Sequence, residues 1–315
     1  MSYLTARDLW NLHRVGQPEP HPNGEFAVVP VTAYNLSEDE GKTRLWRVAA
    51  DGGRRPLTSP NTSSTKPTVS SDGERLAFLR KAGESDKPQL HVMDFAGGEA
   101  ECLTDLPLGV AAAKWLPDGS GLILAVPLLD GHPSIAATAK ETGRRKDAPS
   151  EPISTENAVY RYWKKWLAGG EIHHLFHLEL ETGSLVDLTP ELTRLINLDE
   201  VAGSFDISPD GGEIAFTVDI EPSPRLRARF AIHTVSVSGG EVRQLDRPEA
   251  LPAQQTRPRY SPDGRYVAFG EQHELDYYAD QVKLVGYDRT TGTKTDLAPW
   301  WDRSAGGWEY TTDLD

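Results

Sequence analysis

Apolar residues in this chain come in short runs in which every second position is large. Five runs share one shape: Phe26-Ala27-Val28, Leu76-Ala77-Phe78, Leu122-Ile123-Leu124, Ile214-Ala215-Phe216 and Val267-Ala268-Phe269. Period-two runs of this length read as half-buried or buried β-strands. Each follows a polar tetrapeptide: His21-Pro22-Asn23-Gly24, Ser70-Ser71-Asp72-Gly73, Leu116-Pro117-Asp118-Gly119, Ser208-Pro209-Asp210-Gly211 and Ser261-Pro262-Asp263-Gly264. Proline presets φ at the second turn position, Asp or Asn bonds its own backbone, and glycine takes the left-handed conformation. Asp72-Gly73, Asp118-Gly119, Asp210-Gly211 and Asp263-Gly264 are therefore read as structural turns that join two antiparallel strands.

A second turn follows in every repeat, at Asp51-Gly52-Gly53, Ala96-Gly97-Gly98, Glu181-Thr182-Gly183, Ser238-Gly239-Gly240 and Thr290-Thr291-Gly292. Three of the short strands after it end in Leu-Thr, at Leu57-Thr58, Leu103-Thr104 and Leu188-Thr189, and two drift, at Leu245-Asp246 and Leu297-Ala298. From first-turn to second-turn glycine the separations are 29, 25, 64, 29 and 28 residues. Two hairpins make four strands, and a four-stranded unit recurring at about 45 to 50 residues marks a propeller blade. The expected fold is all-β: a β-propeller of four-stranded blades, five of them and the start of a sixth, filling residues 1–315 as one domain.

The odd separation locates an insertion of some 36 residues in the third blade, over residues 130–166. Its first part, Asp130 to Asn157, is polar and rich in Pro, Ala, Lys and Glu, and reads as a mobile arm with room for a short helix. Its second part packs four aromatics and three cations into Tyr160-Arg161-Tyr162-Trp163-Lys164-Lys165-Trp166. Tyr160, Arg161, Tyr162, Trp163 and Trp166 suit a substrate or partner contact through cation–π and amphipathic packing, and equally suit a strand that fills its own fold.

Two features frame the repeats. Thr5-Ala6-Arg7-Asp8 is a capping-box pattern leading into Leu9, Trp10, Leu12 and Val15, which predicts one short amphipathic helix. After the fifth repeat come Trp300-Trp301-Asp302-Arg303 and Trp308-Glu309-Tyr310-Thr311-Thr312-Asp313. Aligned on Arg259-Tyr260-Ser261-Pro262-Asp263, they read as the first strand and half the turn of a sixth blade. A lone strand leaves unpaired backbone, so the sequence reads as truncated, or as completed by another chain.

Composition narrows the function. Lys and Arg number 33 against 47 Asp and Glu, a net charge of −14, so the average surface repels phosphate and nucleic acid is not an expected partner. Neither a signal-like N-terminus nor a run of about 18 apolar residues occurs, so no membrane span is expected. The single cysteine, Cys102, has no internal partner for a disulfide. It is expected as a small core residue, in a cytoplasmic protein.

Chemistry inside the repeats has few candidates. His173, His174 and His177 are the densest metal-capable cluster, but on a strand adjacent residues face opposite sides and positions four apart lie about 13 Å apart. No metal site and no cofactor are expected. Glu271-Gln272-His273-Glu274-Leu275-Asp276 offers general acid and base groups or a grip on a peptide ammonium, and reads more simply as a solvated loop.

Four stretches together resemble the N-terminal propeller of the prolyl oligopeptidase family of serine peptidases, in the branch of acylaminoacyl peptidases and dipeptidyl-peptidase-5-like enzymes. They are Asp8-Leu9-Trp10-Asn11-Leu12-His13-Arg14-Val15-Gly16, the Ser-Pro-Asp-Gly turns, Tyr160-Arg161-Tyr162-Trp163 with Gly170-Glu171-Ile172-His173-His174-Leu175-Phe176, and Tyr287-Asp288-Arg289-Thr290-Thr291-Gly292. The resemblance implies a propeller that caps an α/β-hydrolase domain carrying a Ser-Asp-His triad and restricts it to short peptides. The full enzyme would release dipeptides or acylated residues. The nucleophile elbow Gly-x-Ser-x-Gly is absent from these 315 residues, so no catalytic residue carries over. A C-terminal hydrolase domain and short peptides are the implied partners, with a homo-oligomer left open. The competing reading is a free-standing TolB-like propeller that binds a protein or peptide.

Overall fold

The structure, a computed structural model, describes residues 3–81, 87–150, 152–246, 254–274, 277 and 279–306. The chain divides into two compact units, Met1–Leu122 and Ile123–Asp315, the division falling within the strand Gly121–Leu129. Each of the five predicted turns joins the first and second strands of one antiparallel sheet. The first sheet holds Phe26–Asn35, Glu40–Ala49 and Arg54–Pro56, with Arg14–Val15 and Glu19–Pro20 end to end along one edge of Phe26–Asn35. The second holds Ser64–Val69, Arg75–Lys81, Pro88–Asp94 and Glu101–Cys102, and the third Ala112–Trp115, Gly121–Leu129, Glu171–Glu179 and Leu185–Asp187. The fourth holds Phe205–Ile207, Glu213–Asp219, Phe230–Ser236 and Arg243–Gln244, and the fifth Gln254–Tyr260, Tyr266–Gln272, Lys283–Asp288 and Thr293–Asp296.

The turns work by one mechanism. Gly24, Gly73, Gly119, Gly211 and Gly264 all take φ between 69° and 75°, the left-handed region that costs glycine nothing. In the second sheet the Asp72 carboxylate accepts from Ser70 Oγ at 2.5 Å and from Glu74 N at 2.9 Å, while Ser70 Oγ accepts from Arg75 N at 2.9 Å. Ser208 with Asp210 and Ser261 with Asp263 repeat the pattern. These bonds hold the Asp72, Asp210 and Asp263 carboxyls below the usual carboxylate range. The serine is thus as much a part of the turn as the aspartate.

The Leu-Thr endings have an equally local cause. Leu57, Leu103 and Leu188 donate their N–H to the carbonyls of Leu45, Leu90 and Leu175. The neighbouring Thr58, Thr104 and Thr189 hydroxyls accept from the N–H of those same three residues at 2.9 to 3.0 Å. Each pair closes the fourth strand onto the third where regular pairing has ended. In the fourth sheet, where Asp246 replaces the threonine, Ile232 N donates instead to Gln255 Oε1 at 2.9 Å. The drift in sequence is compensated by a side chain from the fifth sheet.

Consecutive sheets are clasped within each unit. In the first, Val69 N reaches Glu19 Oε1, Trp115 Nε1 donates to Thr68 O at 3.0 Å, and Lys66 Nζ donates to Ala111 O at 2.7 Å. In the second, Tyr260 N donates to Asp206 Oδ2, while the Tyr260 hydroxyl and Arg289 both donate to Glu213 Oε1 at 2.7 Å. Burial, then the Glu213 bond, pushes the Tyr260 hydroxyl above the ordinary tyrosine range, so it remains a donor. Lys66 and Arg257 share a feature the sequence did not announce. Each has positive φ, precedes a proline and lies at a register shift in the first strand of its sheet. A β-bulge of this kind re-aims one side chain, and both cations reach a backbone carbonyl, Ala111 for Lys66 and Gly306 for Arg257.

Three expectations need correction. The helix α1, Ala6–Trp10, has the predicted capping box but buries nothing: Leu9, Trp10, Leu12 and Val15 are all exposed. Cys102 is exposed rather than a core residue, because Glu101–Cys102 is a two-residue edge strand with neither side chain buried. The short helix for which the arm left room is present as α2, Ile135–Asp147. Glu271 is not in a solvated loop. It closes the strand Tyr266–Gln272 and is buried, bonded to Gln255 Nε2 at 2.9 Å and Lys294 Nζ at 3.0 Å. The strand expected over Glu309–Tyr310 lies outside the described residues, and Trp300–Arg303 form no strand.

Candidate functional site

The segment between the second and third strands of the third sheet carries the candidate contact residues. Chain direction is reset just after Leu129, where Gly131 takes φ 77°. The α2 helix then starts on a Ser134 cap, its Oγ accepting from Ala137 N at 3.1 Å, which satisfies one of the orphan donors of the first turn. Thr138 fixes the helix to the strand it left: fully buried, its hydroxyl accepts from Leu129 N and donates to His132 O. Glu141 is bonded to Arg144 at 2.6 Å and Arg145 at 3.0 Å, which hold its carboxyl down at about 2. Arg145 also donates to Gly169 O, and Gly170 O accepts from Asp130 N. The helix is therefore tied at both ends of the insertion.

Beyond it, Asn157 Oδ1 and Ala158 N are held by Arg225 N and Arg225 O, and the chain turns back in a two-stranded hairpin, Arg161–Tyr162 paired with Lys165–Trp166. Tyr160 O closes its base by accepting from Leu167 N at 2.8 Å and Ala168 N at 3.1 Å. Tyr162 packs on a buried cluster of Leu167, Ile172, Leu195 and Phe230. The other aromatics point outward: Tyr160 and Trp166 are about half exposed, and Trp163 is 80% exposed. Tyr160 and Trp166 lie 5.8 Å apart, and the Arg161 guanidinium sits 5.9 Å from the Trp166 ring centre, within cation–π range.

Trp163 and Lys164 form the two-residue loop, and Trp163 has φ 49°. Two-residue hairpins favour glycine or asparagine at left-handed positions. A tryptophan there is a steric outlier. The stretch thus divides by residue: Tyr162 packs on the buried cluster and meets the Trp163 ring edge-on at 6.5 Å, while Tyr160, Trp163 and Trp166 are exposed beside Arg161, Lys164 and Lys165.

The histidines separate as strand geometry requires. His174 is buried and 2.8 Å from Asp187 Oδ2, whereas His177 Nε2 has no partner among the described residues. Among those residues no group of three His, Cys, Asp or Glu side chains is arranged to hold a metal. A largely buried ion cluster joins Glu271 and Asp246 through Lys294, at 3.0 and 2.9 Å. Burial pulls the Lys294 ammonium down, but its bonds to Asp246 and Glu271 outweigh this and hold it above the usual lysine range. It is a tie between strands, and sequence reading missed it because its members are 48 residues apart.

No family model matches the sequence. The uncharacterized peptidase YuxL of Bacillus subtilis (strain 168) is 28% identical over 218 residues, 69% of this chain and 31% of that protein. Dipeptidyl-peptidase 5 of Porphyromonas endodontalis is 26% identical over 295 residues, 90% of this chain and 40% of that protein. Among solved structures, an acylaminoacyl peptidase in complex with Z-Gly-Gly-Phe-chloromethyl ketone has a TM-score of 0.68 at 15% identity, covering 97% of this chain and 42% of that one. The β-propeller domain of the Trilobed protease from Pyrococcus furiosus has a TM-score of 0.59 at 14% identity, covering 95% and 75%. This chain is similar to the propeller portion of peptidases.

The fold is a β-propeller, and the chain spans less than half the length of these two curated relatives. The motif Gly-x-Ser-x-Gly does not occur in the 315 residues. Among the described residues no helix is long and apolar enough to cross a membrane.

Proposed function

We propose that this chain is the non-catalytic propeller portion of a serine peptidase, admitting only short peptides to a hydrolase domain. The observation that carries the reading is the match of nearly the whole chain to part of dipeptidyl-peptidase 5 and of an acylaminoacyl peptidase, each more than twice its length. Release of dipeptides or acylated residues is the activity those names suggest for the full protein. A partner domain is also favoured by the first unit. Its Leu9, Trp10, Leu12, Tyr34 and Leu36 are exposed, and a cavity of about 230 Å³ opens between Trp10 and the tip of the first long hairpin. Apolar surface gathered in this way suits burial against another domain. The single cysteine favours a cytoplasmic setting.

The test is to read the coding sequence past Asp315 for Gly-x-Ser-x-Gly, then to assay the hydrolase portion with and without this propeller. The hydrolase alone should cleave long and short peptides, and the joined protein only short ones. A frame lacking the elbow, with no partner gene, would favour the free-standing binding module. An unchanged length profile would remove the gating role.

A further inference from the structure

The hairpin that carries Trp163 combines three properties. First, its exposed aromatics are held in place, since Tyr162 anchors the base in a buried cluster and Tyr160 O closes it with two backbone bonds. Second, Trp163 stands at the tip with φ 49° and 80% exposure. A bulky residue in that conformation persists only where the surroundings enforce it, and such residues gather at ligand clamps. Third, the charge is local and opposite to the rest. Residues 140–166 hold seven Lys and Arg against four Asp and Glu, +3 within a chain whose remainder is −17. Lys164 and Lys165 make no ion pair among the described residues, although acidic groups abound elsewhere.

We infer that this hairpin is a binding element for acidic peptide segments, with Trp163 and Trp166 covering the peptide backbone and Lys164, Lys165 and Arg161 facing its carboxylates. Aromatic rings supply contact area at low entropic cost, and cations beside them select by charge. A long polyanion such as nucleic acid would extend past the basic segment onto a surface of the same sign. A short acidic stretch ends before it does so. Charge attraction at an exposed site is screened within about 10 Å at 0.1 M salt, which makes the element salt-sensitive. This inference does not rest on the peptidase reading: acidic-peptide binding is measured on this chain alone.

The experiment uses the purified chain and a fluorescently labelled, end-capped hexaglutamate peptide, read by anisotropy, with capped hexaalanine and hexalysine as controls. Saturable binding of hexaglutamate alone is expected, weakened by added salt. Trp163→Ala and the double variant Lys164→Glu, Lys165→Glu should each weaken it at least tenfold, and Trp163→Phe should retain it, all at an unchanged melting temperature. Because glycine tolerates the tip conformation, Trp163→Gly provides a second folded variant with the same expected loss. Failure of the chain to bind hexaglutamate, equal binding of hexaalanine, or full binding by the charge-reversed variant would overturn the inference. So would self-association in sedimentation that the same variants abolish without any peptide binding, since the hairpin would then receive a second copy of this chain.

Discussion

Two kinds of tight turn in this molecule place a residue in the left-handed region, and they do it with opposite residues. In the five repeat turns the residue is glycine, and in the sheet with Ser70-Ser71-Asp72-Gly73 the Ser70 and Asp72 side chains bond each other and the N–H groups of Arg75 and Glu74. In the inserted hairpin the residue is Trp163, with its ring in solvent. The first kind obeys local preference and serves the fold. The second violates it, and within the hairpin the Trp163 ring makes one edge-on contact with Tyr162, 6.5 Å between ring centres, while the buried contacts are made by Tyr162. Where a chain departs from its own local rules, the reason is more often found in what the residue meets than in what it supports.

The sharpest way to break this comparison is to put a side chain where the fold needs none. Gly73 and Gly24 have nearly the same φ, 75° and 72°, but a Cβ on Gly73 would lie 2.6 Å from His21 Cε1, whereas one on Gly24 meets nothing within 4 Å. His21 has little room to retreat, being stacked 4.2 Å from Phe26 and bonded to Gly73 O at 2.8 Å. Gly24→Ala should cost about 1–2 kcal/mol for the backbone alone, and Gly73→Ala about 3 kcal/mol with the steric cost added. Denaturant unfolding of both variants measures the difference, and equal losses would mean that the His21 contact has no energetic weight.

A smaller loss is expected at the fourth-strand closures. Thr104→Val keeps the volume but leaves the buried Leu90 N–H without its acceptor and takes one of two donors from Gln89 Oε1, which keeps the Leu106 N–H, a cost of about 1–3 kcal/mol.

How far sequence carried the account depends on how local each cause is. The turns and the Leu-Thr endings are made by residues that sit next to one another, so their spacing announced the sheets. The short α1 helix announced itself through its capping box for the same reason, but its exposed apolar side did not, because burial depends on what the rest of the molecule supplies. Cys102 and Glu271 were misplaced on the same ground: alternation cannot tell an edge strand from an inner one, nor see that Lys294 and Gln255 wait for a carboxylate. At the candidate site, the residue types of 160–166 marked the segment, while the division of labour between Tyr162 and Trp163 was fixed by the hairpin register and by partners as distant as Phe230.

Acid should weaken the repeat turns selectively. The folded-state carboxyls of Asp72, Asp210 and Asp263 are depressed by their serine and backbone bonds. Their contribution is therefore complete above the ordinary aspartate value of about 3.9 and is lost as pH falls through the lower folded values. The melting temperature of the chain should drop below about pH 4, and Asp210→Asn, which carries no such linkage, should lose less between neutral pH and pH 3 or so. These side chains are at the surface, so the effect of any one is small. An equal loss in the variant would show that the acid sensitivity originates elsewhere.

The effect closest to zero is the most telling. If Trp163 is held in its strained conformation for what it binds, the fold gains little from its side chain beyond the edge-on contact with Tyr162, and glycine at the tip removes the backbone penalty of about 1 kcal/mol. The melting temperature of Trp163→Gly, measured beside that of the unaltered chain, is predicted to be equal or slightly higher. A clear fall would mean that the tryptophan supports the hairpin from within, and would contradict the account of this turn as an element built for contact.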